Sequence, residues 1–147
     1  IGGLSMGGYG ALRVGLGLAD RFCSIHSHSG ALDAGTTVAR FSAANPSAYG
    51  PNVPEEMKRI FGRPQPGSPH DLVALAKKAR RKLPKIHLDC GTDDFLLGAN
   101  RDFVKALRAA KLPHTYVEHP GNHNWDYWDT HIREALRFHA KNLKAIA

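Results

Sequence analysis

Gly3-Leu4-Ser5-Met6-Gly7-Gly8, preceded by Ile1-Gly2 and followed by Tyr9-Gly10-Ala11-Leu12, decides the fold. Its G-x-S-x-G spacing is that of a nucleophile elbow, a sharp strand-to-helix turn that pushes a serine hydroxyl into the open. Glycine is expected at Gly3 and Gly7 because a side chain two residues either side of Ser5 would collide across so tight a turn. The turn also needs a backbone conformation that costs a side-chain-bearing residue energy. In a chain with 15 glycines the pattern alone is weak. Context strengthens it: an apolar lead-in, then residues 6–18 with the spacing of a helix. A tight turn with an idle serine is the plain alternative.

Only four residues precede Ser5, whereas strands usually run about 5–6 residues and an elbow strand should follow several others. Ile1 is not an initiator methionine. The expectation is the C-terminal part of a longer protein, with its N-terminal strands missing.

The 147 residues have the length of one domain. A hydrophobic fraction of 42% and a charged fraction of 22% are those of a soluble globular protein. No apolar run approaches the ~18 residues of a membrane span, so no membrane partner is expected. Cys23 and Cys90 each fall in an apparently buried strand and read as free thiols. The net charge of +7 owes much to Lys77-Lys78-Ala79-Arg80-Arg81-Lys82. No aromatic residue interleaves that run, so it reads as a solvated helix face and not as a nucleic-acid site.

Outward from the elbow, residues 22–28 read as a strand ending at Ser29-Gly30. The proline-rich span 31–84 then breaks the alternation and holds two short helical patterns. Residues 54–61 start with a proline and stop at Gly62; residues 69–82 take Ser68 as N-cap, with Asp71 three residues on. A cap over the site is the role expected of this insertion. Regular alternation returns with a strand at 85–90, a helix at 100–112, a strand at 114–119 and a last helix at 125–143. That helix is expected to turn Trp128, Ile132, Ala135, Leu136 and Leu143 to the core. Strands alternating with helices indicate βαβ units and a mostly parallel sheet, whose strand C-termini share one edge.

Three of those C-termini carry Ser5, then Asp93 or Asp94, then His123. Ser…Asp…His is the order of the α/β-hydrolase triad. A serine hydroxyl is a poor nucleophile until a base takes its proton. Neutral imidazole does that near pH 7, and a carboxylate holds its tautomer.

The elbow, Ser29-Gly30, Cys90-Gly91-Thr92-Asp93-Asp94-Phe95-Leu96 with Asn100, and Gly121-Asn122-His123-Asn124-Trp125 with Trp128 together resemble the "putative esterase" branch of the α/β-hydrolases. That branch includes tributyrin-type esterases, esterase D, feruloyl and acetyl-xylan esterases and mycolyltransferases. The resemblance implies that 1–147 is the C-terminal part of one α/β-hydrolase domain. It implies a serine esterase acting on small short-acyl esters, with Ser5 the nucleophile, His123 the acid/base and Asp94 the acid that follows C-G-x-x-D; Asp93 is the alternative. The N–H of Met6 would be one half of the oxyanion hole, the other half lying in the missing part, so that this chain alone would be a weak enzyme. Leu4, Tyr9 and Cys90 stand where formylglutathione hydrolases usually have His, His and Gln, which favours the tributyrin-type group.

No cofactor or metal is expected. His26 and His28 share a strand face, but no third ligand of suitable spacing emerges, so metal-dependent hydrolysis ranks behind the serine reading. An acyltransferase and a basic binding module are the other rivals. His87, His114 and His139 read as surface positions. Trp125 and Trp128 read as core, with Trp125 also a candidate wall of the acyl pocket.

Overall fold

The computed structural model describes residues 1–62 and 66–143; residues 63–65 of the expected insertion and 144–147 of the expected domain lie outside the described residues. In chain order, β1 (Gly2–Leu4) turns at Ser5 into α1 (Met6–Gly17), and β2 (Ser24–His28) follows. The insertion supplies α2 (Thr36–Ala44), α3 (Pro46–Tyr49), α4 (Val53–Phe61), α5 (Leu72–Lys78) and a 3₁₀ turn at Arg80–Lys82. Then come β3 (Lys85–Gly91), α6 (Leu97–Ala109), β4 (Thr115–His119) and α7 (Trp125–Asn142). The four strands form one sheet in the order β1-β2-β3-β4, every neighbouring pair parallel. This is the α/β architecture expected, with all strand C-termini on one edge.

Strand alternation makes the two faces chemically different. Ile25, Ile86 and Leu88 point to one face and join Leu12, Leu16, Leu72, Ala76, Val104 and Leu107 in the main core, under α1, α5 and α6. His26, His28, His87 and Asp89 point to the other face, buried under α7, which packs on β2 and β3.

Several details differ from the sequence expectations. Asp71, not Ser68, caps the helix before the basic run: its side chain accepts from the Ala74 N–H, and the helix begins at Leu72. The insertion holds two further helices, α2 and α3, too short to carry a clear apolar period. β2 starts at Ser24, so Cys23 is exposed, while Cys90 is buried; both thiols are free. His87 is buried, because it lies on the sheet face that α7 covers.

On α7, Tyr127, Trp128 and Ala135 are buried, but Ile132, Leu136 and Trp125 are exposed, as is Leu143 just past its end. The helix axis runs over β2 and β3, so its next stripe overhangs the open edge at β1. There Ile132, Leu136 and Trp125 line a groove of about 420 Å³ with Gly2, Gly3 and Leu4.

Candidate active site

Ser5 sits between β1 and α1 with φ 53° and ψ −120°, left-handed backbone that a residue with a Cβ adopts only under constraint. Hydrogen bonds supply the constraint. The Ser5 N–H donates to the His28 carbonyl at 2.8 Å, and the Ser5 carbonyl accepts from Gly8 at 3.0 Å and Ala31 at 3.1 Å. A Cβ on Gly3 would run into the Gly7 carbonyl, and one on Gly8 would lie 2.5 Å from Ser27 Oγ and 3.0 Å from Gly30 Cα. Gly7 differs from expectation: a Cβ there meets nothing within 4 Å. Its backbone is what crowds Gly3, so the close approach needs glycine at Gly3 and Gly8.

Asp94 follows β3 and is buried; its Oδ1 accepts from the Leu96 N–H at 2.8 Å. Fully buried Asn100 ties this loop down, donating from Nδ2 to the carbonyls of Gly30 at 2.8 Å and Leu96 at 3.0 Å. The acid and histidine loops are laced together by Thr92 N–H to His119 carbonyl and Asp93 N–H to Gly121 carbonyl, each 2.9 Å. A Cβ on Gly91 would strike the Gly121 carbonyl, so glycine there permits the approach.

His123 comes from the turn between β4 and α7, whose N-terminus Asn124 caps by accepting from the Tyr127 N–H at 3.0 Å. The His123 N–H itself donates to Asn122 Oδ1 at 2.7 Å. His123 Nε2 lies 3.0 Å from Ser5 Oγ, and Nδ1 lies 2.8 Å from Asp94 Oδ2. With the proton on Nδ1, the ring donates to Asp94 and accepts from the serine hydroxyl. Asp93 is exposed and its carboxylate turns toward Thr92. The His123 ring meets the edges or faces of Phe95 at 4.8 Å and Trp128 at 4.9 Å between centroids.

Phe95 in turn stacks on Phe41 of α2 at 4.1 Å, so the insertion reaches the site through one aromatic step. No spacing rule singles out Phe41; Phe95 stands in the motif that carries the resemblance, but nothing in the motif marks it as a neighbour of the histidine. Trp125 is 72% exposed and is not core; it meets Trp128 edge to face and borders the groove at β1. Met6 opens α1, where helix geometry leaves the first N–H groups without intrahelical partners.

Behind the site lies a network that the sequence reading missed. Asp89 accepts from His26 Nε2 at 2.7 Å, His28 Nδ1 at 2.6 Å and the Tyr127 hydroxyl at 2.9 Å. Burial alone would raise the Asp89 pKa, but the hydrogen bonds from His26 and His28 outweigh it and hold the carboxyl well below its ordinary range. His87 beside them is pushed down, by burial first and then by His26, and its Nε2 has no hydrogen-bond partner among the described residues.

Among the described residues, two groups of side chains bring possible metal ligands within 4.8 Å of one another: His26, His87 and Asp89, all buried, and His119, His131 and Glu134, half-buried. The first contains His26 but not His28, the pair for which no third ligand of suitable sequence spacing emerges. Asp89 and His87 come from another strand, invisible to spacing.

The model of the "Putative esterase" family matches residues 1–139. An acetyl esterase of Caldicellulosiruptor saccharolyticus is 38% identical over 96% of this chain and 54% of its own length. Among solved structures, an S-formylglutathione hydrolase of Staphylococcus aureus superposes with TM-score 0.73 at 28% identity, covering 94% of this chain and 52% of that one. A ferulic acid esterase does so with TM-score 0.65 at 27% identity, covering 98% and 51%. The chain thus spans about half the length of the relatives it matches.

Proposed function

The chain belongs to the esterase family whose model it matches, within the α/β-hydrolase fold, and from that we propose that it carries the triad of a serine esterase for small, short-acyl carboxylic esters. The observation that carries this reading is His123 bridging Ser5 and Asp94 at 3.0 and 2.8 Å. Ser5 Oγ attacks the ester carbonyl as His123 Nε2 takes its proton. The Met6 N–H stabilises the oxyanion, with a second donor supplied from outside these residues. Collapse breaks the acyl–oxygen bond, and the alcohol leaves with the proton from His123. Water then attacks the acyl-enzyme with His123 again as base, releasing the acid and regenerating Ser5. Asp94 keeps the proton on Nδ1 and stabilises the imidazolium.

The short-acyl preference is supported by the name of the acetyl esterase relative and by the compact insertion. Trp125, bordering the groove beside Leu4, is the proposed pocket wall.

The test is fluorophosphonate labelling of the full-length protein, with hydrolysis of p-nitrophenyl acetate, butyrate and palmitate. Label on Ser5, loss of turnover in Ser5→Ala, and acetate or butyrate faster than palmitate are expected. Turnover that survives Ser5→Ala and is lost to chelator overturns the serine mechanism; palmitate as the fastest substrate overturns the acyl preference alone.

A further inference from the structure

His119 ends β4, and His131 and Glu134 stand one turn apart on α7. The fold brings these three side chains to one place, their ligand atoms within 4.8 Å of one another and none of them part of the Ser5–His123–Asp94 triad. His119 Nε2 lies 3.1 Å from Glu134 Oε2, and His131 Nδ1 lies 3.9 Å from Glu134 Oε1. The two imidazoles stack with centroids 4.0 Å apart and planes 6° apart, so both rings present their edges to the same carboxylate. Zinc bound through nitrogen and oxygen at about 2.0–2.2 Å sets tetrahedral ligand atoms roughly 3.3 Å apart. Each imidazole faces a different oxygen of Glu134 and the three ligand atoms lie within 4.8 Å of one another, so rotation of these partly exposed side chains brings one nitrogen from each ring and one carboxylate oxygen to that spacing.

We propose that His119, His131 and Glu134 form a binding site for a divalent transition-metal ion, zinc foremost, distinct from the esterase centre. Two imidazole nitrogens and one carboxylate suit zinc and its neighbours and not calcium or magnesium, which take mainly oxygen ligands. Water completes the tetrahedron. Side-chain exposures of 22%, 17% and 40% leave the site open to an ion from solvent. The buried group of His26, His87 and Asp89 is the weaker candidate, because both Asp89 oxygens already accept from His26, His28 and Tyr127.

The ligands stand on either side of residues 120–124, the turn that carries His123. An ion there joins the end of β4 to the first turns of α7 and braces that turn from outside. It takes no part in the hydrolytic steps.

Calorimetric titration of the full-length protein, free of any histidine tag and stripped of metal, with Zn²⁺ tests the site. One zinc per chain is expected, with a higher Tm when loaded. Replacing even an outer-shell partner of a metal ligand typically costs 10–100-fold in affinity, so His131→Ala and Glu134→Gln should each weaken binding by ~100-fold or more. Both metal-free variants should keep the wild-type circular dichroism spectrum. Absence of zinc binding overturns the proposal, and so does zinc binding that persists unchanged in both variants, which would put the ion at other residues.

Discussion

At Ser5 a positive φ is held in place by three neighbouring backbone segments, and the cost of that geometry falls on particular glycines. Gly3 and Gly8 sit where a methyl group would strike the Gly7 carbonyl or Ser27 and Gly30. Gly7, helical and open, has no such constraint. Gly8→Ala is therefore expected to destabilise the protein by about 1–3 kcal/mol, the usual range for overpacking. Gly7→Ala should be neutral or stabilising by up to ~1 kcal/mol through helix propensity. Equilibrium urea denaturation of the two variants checks the contrast; equal losses would show that the motif, not the contact, decides. The acid gives a second prediction at this scale. Asp94→Asn should keep the fold but lose the correct histidine tautomer, lowering kcat by on the order of 10⁴-fold, while Asp93→Asn changes little. Steady-state kinetics on p-nitrophenyl acetate distinguishes them. Residue-scale chemistry was the most legible part of the sequence. Ser5, Asp94 and His123 each sit in a short local pattern with its own glycine, and local patterns survive in sequence. The partners of His26 were illegible because Asp89 is 63 positions away and only strand pairing brings it near.

Between β2, β3 and α7 the fold buries a polar layer where hydrocarbon would be usual. Asp89 has all its acceptor needs met by His26, His28 and Tyr127, so removing it strands three donors in the core. Breaking a buried pair from one side typically costs 3–5 kcal/mol, and Asp89→Ala should fall there, about. The same layer makes stability depend on acid. His87 has its folded pKa lowered from 6.5, so its contribution is complete above that ordinary value and is lost as pH falls through the lowered one. Asp89 has its folded pKa lowered from 3.8, and its contribution is lost the same way at lower pH. Stability should therefore decline from near-neutral pH downward. His139, pushed down to about 4 chiefly by burial, and His131, also lowered by burial first, act in the same direction, so His87→Leu should lessen and not abolish the decline between about pH 7 and 5. Guanidinium denaturation across that range checks the slope, and an unchanged slope in the variant would acquit His87. Elements were legible in type but not in limits. Strand-helix alternation announces the parallel sheet, yet α2 and α3 are short and carry only a few apolar residues, Val38 and Phe41 foremost in α2, too few to mark a helical stripe. On α7 the apolar period predicts a wider core stripe than the fold buries, because it says which residues are apolar and not how far a sheet extends beneath them.

For the molecule as a whole, the decisive feature is that edge. β1 is three residues long, pairs on one side with β2, and lies at the end of the described sheet. Beyond it α7 overhangs with Ile132 at 38%, Leu136 at 60% and Trp125 at 72% exposure, and the groove beneath them is mostly apolar in its side chains. An open strand edge offers unpaired N–H and C=O groups to any similar edge, and contiguous apolar surface beyond a few hundred Å² promotes association. The net charge of +7 opposes that association by repulsion, most strongly at low salt. Expressed by itself, the 147-residue polypeptide is therefore expected to self-associate, and to do so more as salt is raised and the repulsion is screened. Sedimentation velocity at low and high ionic strength measures this directly. Leu136→Lys combined with Trp125→Ser should shift the distribution toward monomer, since both side chains lie on the exposed overhang. A sharp monomer at every concentration and salt level, unchanged by the double substitution, would show that the β1 edge and its overhang are not sticky. The same preparation bears on catalysis. With Met6 the one oxyanion donor proposed within these residues, its esterase rate should lie roughly 10²–10³-fold below that of the full-length protein, the usual loss for one missing donor. Equal rates would mean that a second donor lies among these residues, and would move the search for it to the loops around Ser29 and Phe95.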